Sequence, residues 1–142
     1  MTDDAEAFRQ YDPRTDAREQ AVMLLYESEQ RSVSPLELMV ERGVASEDMA
    51  RALLEGVEAS REHIDAQIMT HARGWAIDRM PALDRAILRL AIHELLDRPD
   101  VPVAVVIDEA VELAKRFSTD DSGRFVNGVL AAVAKVSRPS AE

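Results

Sequence analysis

Between Val103 and Phe117, the residues Val106, Ile107, Ala110, Leu113, Ala114 and Phe117 recur at steps of three and four. That period matches the α-helix, at about 3.6 residues per turn, and excludes a strand, whose apolar face repeats every second residue. A helix of this kind is stable in water only when other helices cover its apolar stripe. The same period runs through the rest of the chain. Ala17, Ala21, Leu24, Leu25 and Ser28 form one small or apolar face, and Met49, Leu53, Leu54 and Val57 form another. Ile64, Ile68 and His71 continue it, followed by Leu83, Ile87, Leu90, Ala91 and Leu95, and finally by Phe125, Val126, Val129, Leu130 and Val133. No segment alternates as a strand would, and there is no internal repeat or low-complexity run. The pattern predicts an all-α, single-domain bundle of about seven helices.

Punctuation between these stretches supports the division. Asp12-Pro13 reads as an N-cap followed by proline in the first helical position. Ser34-Pro35-Leu36-Glu37 is a capping box, with Val33 placed to pack on Leu38. Gly43 is expected to end that short helix, Ser46 to cap the next, Ser60 to separate it from its successor and Gly74 to stop that one. Pro81 opens another helix, Pro99 and Pro102 bound the loop after it, and a polar loop from Ser118 to Gly123 is expected before the last helix. Residues 1–12 read as a loosely ordered acidic tail with Phe8 and Tyr11 its large apolar groups, residues 13–136 as the helical domain, and 137–142 as a C-terminal tail.

Composition agrees with one aliphatic core. The chain has 142 residues, 46% hydrophobic but only 4% aromatic, enough for one domain and too short for two comfortable ones. The absence of cysteine excludes disulfides and thiolate metal sites. Met1-Thr2-Asp3-Asp4 is acidic, and no stretch approaches the roughly 20 apolar residues that span a bilayer, so neither a secretory leader nor a membrane helix is expected. The expected compartment is the cytoplasm. With 17 basic against 27 acidic residues the net charge is −10, which speaks against a broadly basic nucleic-acid binder but leaves room for a local patch. Lys115 and Lys135 are the lysines; the other basic residues are arginines, which suit bidentate phosphate contacts.

Catalysis finds no support. His63, His71 and His93 have neither metal-ligand nor triad spacing and read as residues of helix surfaces or edges, and His93-Glu94 lacks the second histidine of a zinc-protease motif. No glycine-rich phosphate loop, metal site or cofactor site is evident. Met23, Met39, Met49, Met69 and Met80 read as core filling rather than a binding groove. Trp75, just after Gly74, is either a half-buried anchor or the mark of a partner surface.

Three segments carry a specific resemblance. They are Ala17-Arg18-Glu19-Gln20-Ala21-Val22-Met23-Leu24-Leu25-Tyr26; Pro81-Ala82-Leu83-Asp84-Arg85-Ala86-Ile87-Leu88-Arg89-Leu90-Ala91 with Glu94-Leu95; and Val101-Pro102 through Ile107-Asp108-Glu109-Ala110-Val111-Glu112-Leu113-Ala114-Lys115, running on to Asp121-Ser122-Gly123-Arg124-Phe125-Val126-Asn127-Gly128-Val129-Leu130. In this order they resemble the NusB family of bacterial transcription antitermination proteins. The closing Phe-Val-Asn-Gly-Val-Leu is the most specific run, because Asn-Gly is unusual inside a helical apolar pattern. Gly128 costs about 1 kcal/mol of helix propensity, so a close helix approach is expected there. Asn127 either satisfies a buried backbone group or meets a base.

The resemblance implies a seven-helix protein that binds boxA-type single-stranded RNA together with NusE, the small-subunit ribosomal protein, in the antitermination complex with RNA polymerase. It implies an RNA surface of Arg14, Arg18 and Tyr26 on the first helix, joined by Lys115, Asp121, Arg124, Phe125 and Asn127. Phe125 or Tyr26 would stack an unpaired base. It implies a NusE surface at Leu83, Asp84 and Arg85 and on the exposed side of the Val103–Phe117 helix, including Glu109. Asp84 is expected to be an exposed charge with little effect on stability. A homodimer is possible, since some family members form one. One departure concerns the first helix, which in the family opens with a dense arginine cluster. Here residues 1–20 hold Asp3, Asp4, Glu6, Asp12, Asp16 and Glu19 against Arg9, Arg14 and Arg18, and RNA affinity is what this weakens. Four phosphate contacts, at Arg14, Arg18, Lys115 and Arg124, predict a slope of log affinity on log salt near −3, at about −0.7 per contact. A runner-up function of another class is a helical module acting through protein contacts or self-association, its RNA surface decayed.

Overall fold

The computed structural model describes residues 12–139; Phe8, Tyr11 and most of the expected N-terminal tail lie outside them. In order come α1 (Pro13–Arg31), α2 (Pro35–Glu41), α3 (Asp48–Ala59), α4 (Arg61–His71), a 3-10 turn (Ile77–Arg79), α5 (Ala82–Asp97), α6 (Val103–Phe117) and α7 (Asp120–Ser137). That is seven α-helices and no strand among the described residues, as the periodicity predicts.

Two of the expected N-caps form, the second without the reciprocal Glu37 bond of a capping box. The Asp12 carboxylate accepts from the Arg14 backbone N–H at 2.9 Å, and this bond comes first among the interactions holding its pKa below the usual carboxylate value. Ser34 accepts from the Leu36 N–H at 3.2 Å. Two others differ. Glu47, not Ser46, occupies the N-cap of α3, and its side chain makes no capping bond. The loop expected over Ser118–Gly123 shrinks to Ser118-Thr119, because the Thr119 hydroxyl accepts from the Ser122 N–H at 3.1 Å and starts α7 at Asp120. The last helix also outruns the expected boundary. Arg138, just past its end, donates to the carbonyls of Leu95 at 3.0 Å, Glu94 at 2.8 Å and Arg98 at 2.7 Å. The guanidinium gives the Leu95 carbonyl a partner at the end of α5 and adds a second donor to the Glu94 and Arg98 carbonyls, which already accept from the Arg98 and Val101 N–H groups.

Helix α5 lies at the centre, packed against α1, α3, α4, α6 and α7. The sequence shows one apolar stripe on it, yet every residue from Ala86 to Leu95 is buried. Arg89 and Glu94 in that run survive burial by meeting partners from surrounding helices, and His93 bonds through Nδ1 to Asp97 one turn along α5 itself. Arg89 donates to Asp65 of α4 at 2.9 and 3.1 Å and to Glu29 of α1 at 3.1 Å. Arg85 joins the same Glu29 at 2.8 Å. His93, expected at a surface or edge, is instead interior. Its ring lies on Gly56 of α3 and its Nδ1 pairs with Asp97 at 3.1 Å. The missing side chain of Gly56 makes that space. The methionines divide: Met39 and Met80 fill the core as expected, whereas Met69 is exposed.

The close approach expected at Gly128 is not found there. Gly128 is exposed and a Cβ would touch nothing within 4 Å, whereas at Gly56 it would fall 2.0 Å from His93 Cε1. Gly56→Ala should therefore lose about 1–3 kcal/mol from overpacking, despite alanine's helix preference of about 1 kcal/mol. Gly128→Ala should gain about 0.5–1 kcal/mol. Urea midpoints that move both variants the same way would contradict this assignment.

The Arg85 hydrogen bond, followed by those of Arg89, holds the Glu29 carboxyl below the usual glutamate pKa against the opposing effect of burial. A carboxyl with a depressed folded-state pKa contributes stability above its unfolded pKa and loses it as pH falls through the folded value. The melting temperature should thus drop on acidification below the ordinary glutamate range, and Glu29→Gln should flatten that limb. Parallel acid limbs in circular dichroism melts would remove Glu29 from the account.

Candidate nucleic-acid interface

The first turns of α7 divide two neighbouring surface features. On one side a groove of about 670 Å³ lies against α6, lined by Asp108, Val111, Glu112, Lys115, Asp120, Gly123, Arg124 and Asn127. Gly123 sets its depth: a Cβ there would meet Lys115 Cγ at 3.2 Å, so the bare backbone lets the lysine stem lie across α7. Asn127 is exposed, and its amide is presented to the groove rather than spent on a buried backbone group. On the other side a cleft of about 330 Å³ is lined by Trp75, Pro81, Asp84, Thr119, Asp121, Ser122 and Phe125. Trp75 and Phe125 meet there, ring centroids 5.9 Å apart and planes tilted by 53°.

A buried carboxylate holds this corner together. Asp84 is only 2% exposed and accepts from the Ser118 and Ser122 hydroxyls, each at 2.8 Å. Those hydroxyls lie 2.9 Å from each other, and Ser122 lies 3.0 Å from Thr119 Oγ1. One side chain of α5 therefore fixes the α6–α7 turn, and with it the direction of Asp121, Arg124 and Phe125. This corrects the expectation of an exposed Asp84 that a partner could touch. The sequence hint was the hydroxyl run Ser118, Thr119, Ser122, which reads as loop until a buried acid is known to face it.

Arg18 is the second correction. Expected among the phosphate contacts, it is 4% exposed and donates to both oxygens of Glu94, at 2.8 and 2.9 Å, with Glu109 at 3.6 Å. Burial works against its charge, but the Glu94 hydrogen bonds and charge more than compensate and raise its pKa. It cannot leave for a phosphate without stranding a buried carboxylate. Arg14 behaves differently: its side chain is 72% exposed and, among the described residues, pairs only with Asp12, at 3.3 Å. Tyr26 is exposed on α1 but, like Arg14, lines neither the groove nor the cleft.

Most of the expected partner patch is likewise committed internally. Arg85 donates to the Ile77 and Met80 carbonyls at 2.8 and 2.9 Å besides pairing with Glu29, and Leu83 packs against the core. Glu109 accepts from the Thr15 hydroxyl at 2.7 Å. No group of His, Cys, Asp or Glu among the described residues is placed to hold a metal ion, and no helix there is long and apolar enough to cross a membrane.

The model of the NusB family matches residues 15–135. The chain belongs to that family. It is 51% identical over 130 residues to the transcription antitermination protein NusB of Saccharopolyspora erythraea, covering 87% of each chain. Its fold is similar to that of T. maritima NusB, with 34% identity and a TM-score of 0.80 over 89% of this chain and 93% of that one. It is also similar to a chain in the structure of antitermination factors NusB and NusE in complex with double-stranded RNA, with 30% identity and a TM-score of 0.78 over 87% and 97% of the two chains. The helical NusB-like fold implied by the sequence resemblance is thereby confirmed.

Replacing Asp84 should test its place in the scaffold. Asp84→Ala leaves one buried and one half-buried hydroxyl without their acceptor and should cost about 2–4 kcal/mol, with Asp84→Lys worse still. A urea midpoint equal to that of the parent protein would return Asp84 to the surface.

Proposed function

We propose that this protein is a transcription antitermination factor for ribosomal RNA synthesis, binding boxA-type single-stranded RNA together with NusE in the antitermination complex with RNA polymerase. It acts in the cytoplasm as a binding protein without catalytic chemistry. The observation that carries this reading is the convergence of Lys115, Arg124 and Asn127 on one groove, with Phe125 and Asp121 on the adjoining cleft, in a chain of the NusB family. Arginine and lysine hold phosphates, and the asparagine amide and phenyl ring meet bases. Arg14 extends the surface along α1, and Tyr26 lies farther along the same helix. NusE supplies the second protein surface, with the remaining exposed side of α6 and the edge at Leu83 as its docking region.

Charge limits the affinity of the protein alone. Three carboxylates, Asp108, Glu112 and Asp120, share the groove with Lys115 and Arg124. Arg124 is itself paired with Asp121. That balance is the specific observation favouring the second reading, a family member working through protein contacts or self-association.

Fluorescence anisotropy of labelled boxA-type RNA separates the two. With Arg18 committed inside the bundle, three phosphate contacts remain, at Arg14, Lys115 and Arg124. The slope of log affinity on log salt should be near −2, at about −0.7 per contact. NusE should tighten binding by about 5- to 150-fold, and RNA should tighten NusE binding by the same factor. Phe125→Ala should mainly erode the preference for boxA over a scrambled strand. Absence of binding even with NusE would leave the protein-contact reading standing.

A further inference from the structure

We infer that Trp75 joins Phe125 in an aromatic cleft that holds one unpaired nucleobase of the bound RNA strand, making Trp75 an RNA-contacting residue outside the segments that carry the family resemblance. The inference rests on the RNA-binding function proposed above. Trp75 is 48% exposed, so half of the largest apolar side chain in the protein faces solvent. It is held firmly in that position. Gly74 turns the chain at φ 80°, the Trp75 N–H donates to the Ala72 carbonyl at 3.1 Å, and the indole rests against Phe125, which is packed on the core. Two rings tilted by 53° form an angled wall on which a flat group meets a π face of one ring and the edge of the other.

The rest of the cleft decides what fits it. Apart from Pro81, the other lining residues are Asp84, Thr119, Asp121 and Ser122. Asp84 and Ser122 satisfy each other, whereas Thr119 and Asp121 are exposed, and an aliphatic anchor from a protein partner would cover those two without bonding them. A nucleobase puts its apolar faces on the rings and its donors and acceptors in plane, where the Thr119 hydroxyl and the Asp121 carboxylate meet them. The volume of about 330 Å³ suits one base with its sugar. The position suits it too: Arg124, which lines the neighbouring groove, directly precedes Phe125, so a strand crossing the first turns of α7 has phosphates on one side and a base on the other. Where cations and carboxylates nearly cancel, stacking becomes a leading source of affinity, because its strength does not depend on net charge.

Trp75 is the single tryptophan of the chain, so its fluorescence reports on this cleft alone. Titration of the unlabelled protein with short single-stranded boxA-type RNA should quench that fluorescence with the same midpoint that anisotropy gives for labelled RNA. Trp75→Ala should weaken binding by about 5- to 150-fold, the usual range for losing one stacked base, while Trp75→Phe retains most of it. The salt slope should be unchanged in both, since no phosphate contact is removed. Melting curves of both variants establish that the fold persists, and the quenching measurement requires no substitution. RNA binding by anisotropy with undisturbed Trp75 fluorescence, or with a Trp75→Ala variant that binds as tightly as the parent, overturns this inference and leaves the proposed function intact. Loss of NusE binding in Trp75→Ala with RNA affinity unchanged would assign the cleft to the protein partner instead. No RNA binding by any readout, with or without NusE, overturns both.

Discussion

A central helix that is polar on several sides can be packed in few ways, and α5 is such a helix. Asp84 reaches the α6–α7 turn, Arg85 and Arg89 reach α1 and α4 through Glu29 and Asp65, His93 reaches α3 at Gly56, and Glu94 reaches α1 through Arg18. Together these interactions fix α5 against α1, α3, α4 and the α6–α7 turn from different directions. Aliphatic contacts tolerate rotation and sliding, since hydrophobic burial is not directional. A hydrogen-bonded carboxylate or guanidinium does not tolerate them, because a shift of one residue leaves it buried and unpaired. The polar contacts thus select a single arrangement among those that would bury the same leucines and isoleucines.

Such pairs add little net stability. Taking Arg18 and Glu94 out of water costs several kcal/mol per ion, and their attraction returns about that amount when the geometry is bidentate, as it is here. Their effect is on geometry. Glu94 also lies at the end of α5 that Arg138 ties to the last helix, so one stretch of α5 fixes both the start of α1 and the end of α7. The groove and the aromatic cleft, built from α5, α6 and α7 and the turn before α5, inherit that rigidity, and a surface that needs little ordering on binding loses less affinity to entropy.

The helices were legible because apolar spacing and capping chemistry are local. Val103–Phe117 and the Asp12 and Ser34 caps follow from residues within a few positions of one another. The start of α7 was misplaced for a related reason: Ser118 to Gly123 has the composition of a loop, and its helical state depends partly on Asp84, thirty-four residues before Ser118. The functional surface was legible by half. Lys115, Arg124 and Asn127 share a groove because they lie at helical spacing on α7 and the facing α6. Arg14 and Arg18 look equivalent in sequence, four residues apart on one helix. Only the position of Glu94 makes one a scaffold residue and the other a surface cation, and nothing local to α1 encodes that. Gly56 and Gly128 show the same limit, since which glycine admits a neighbour depends on where His93 lies.

In a chain of net charge −10, a phosphate reaching Arg14 or Arg124 must displace a carboxylate from it. How much that exchange costs depends on burial. The Arg14–Asp12 and Arg124–Asp121 pairs are largely exposed on both sides, and pairs of that kind contribute about 0–1 kcal/mol, so a phosphate can replace the acid at little cost. Arg18, Arg85 and Arg89 are nearly enclosed, and removing their carboxylates would leave charges stranded in the bundle. Exposure therefore divides the arginines into a fixed set that holds the helices and an exchangeable set that can meet a ligand. Within the proposed RNA surface the exchangeable arginines are Arg14 and Arg124, so that surface must draw affinity from sources other than charge: the π faces at its edge and the second protein that extends it.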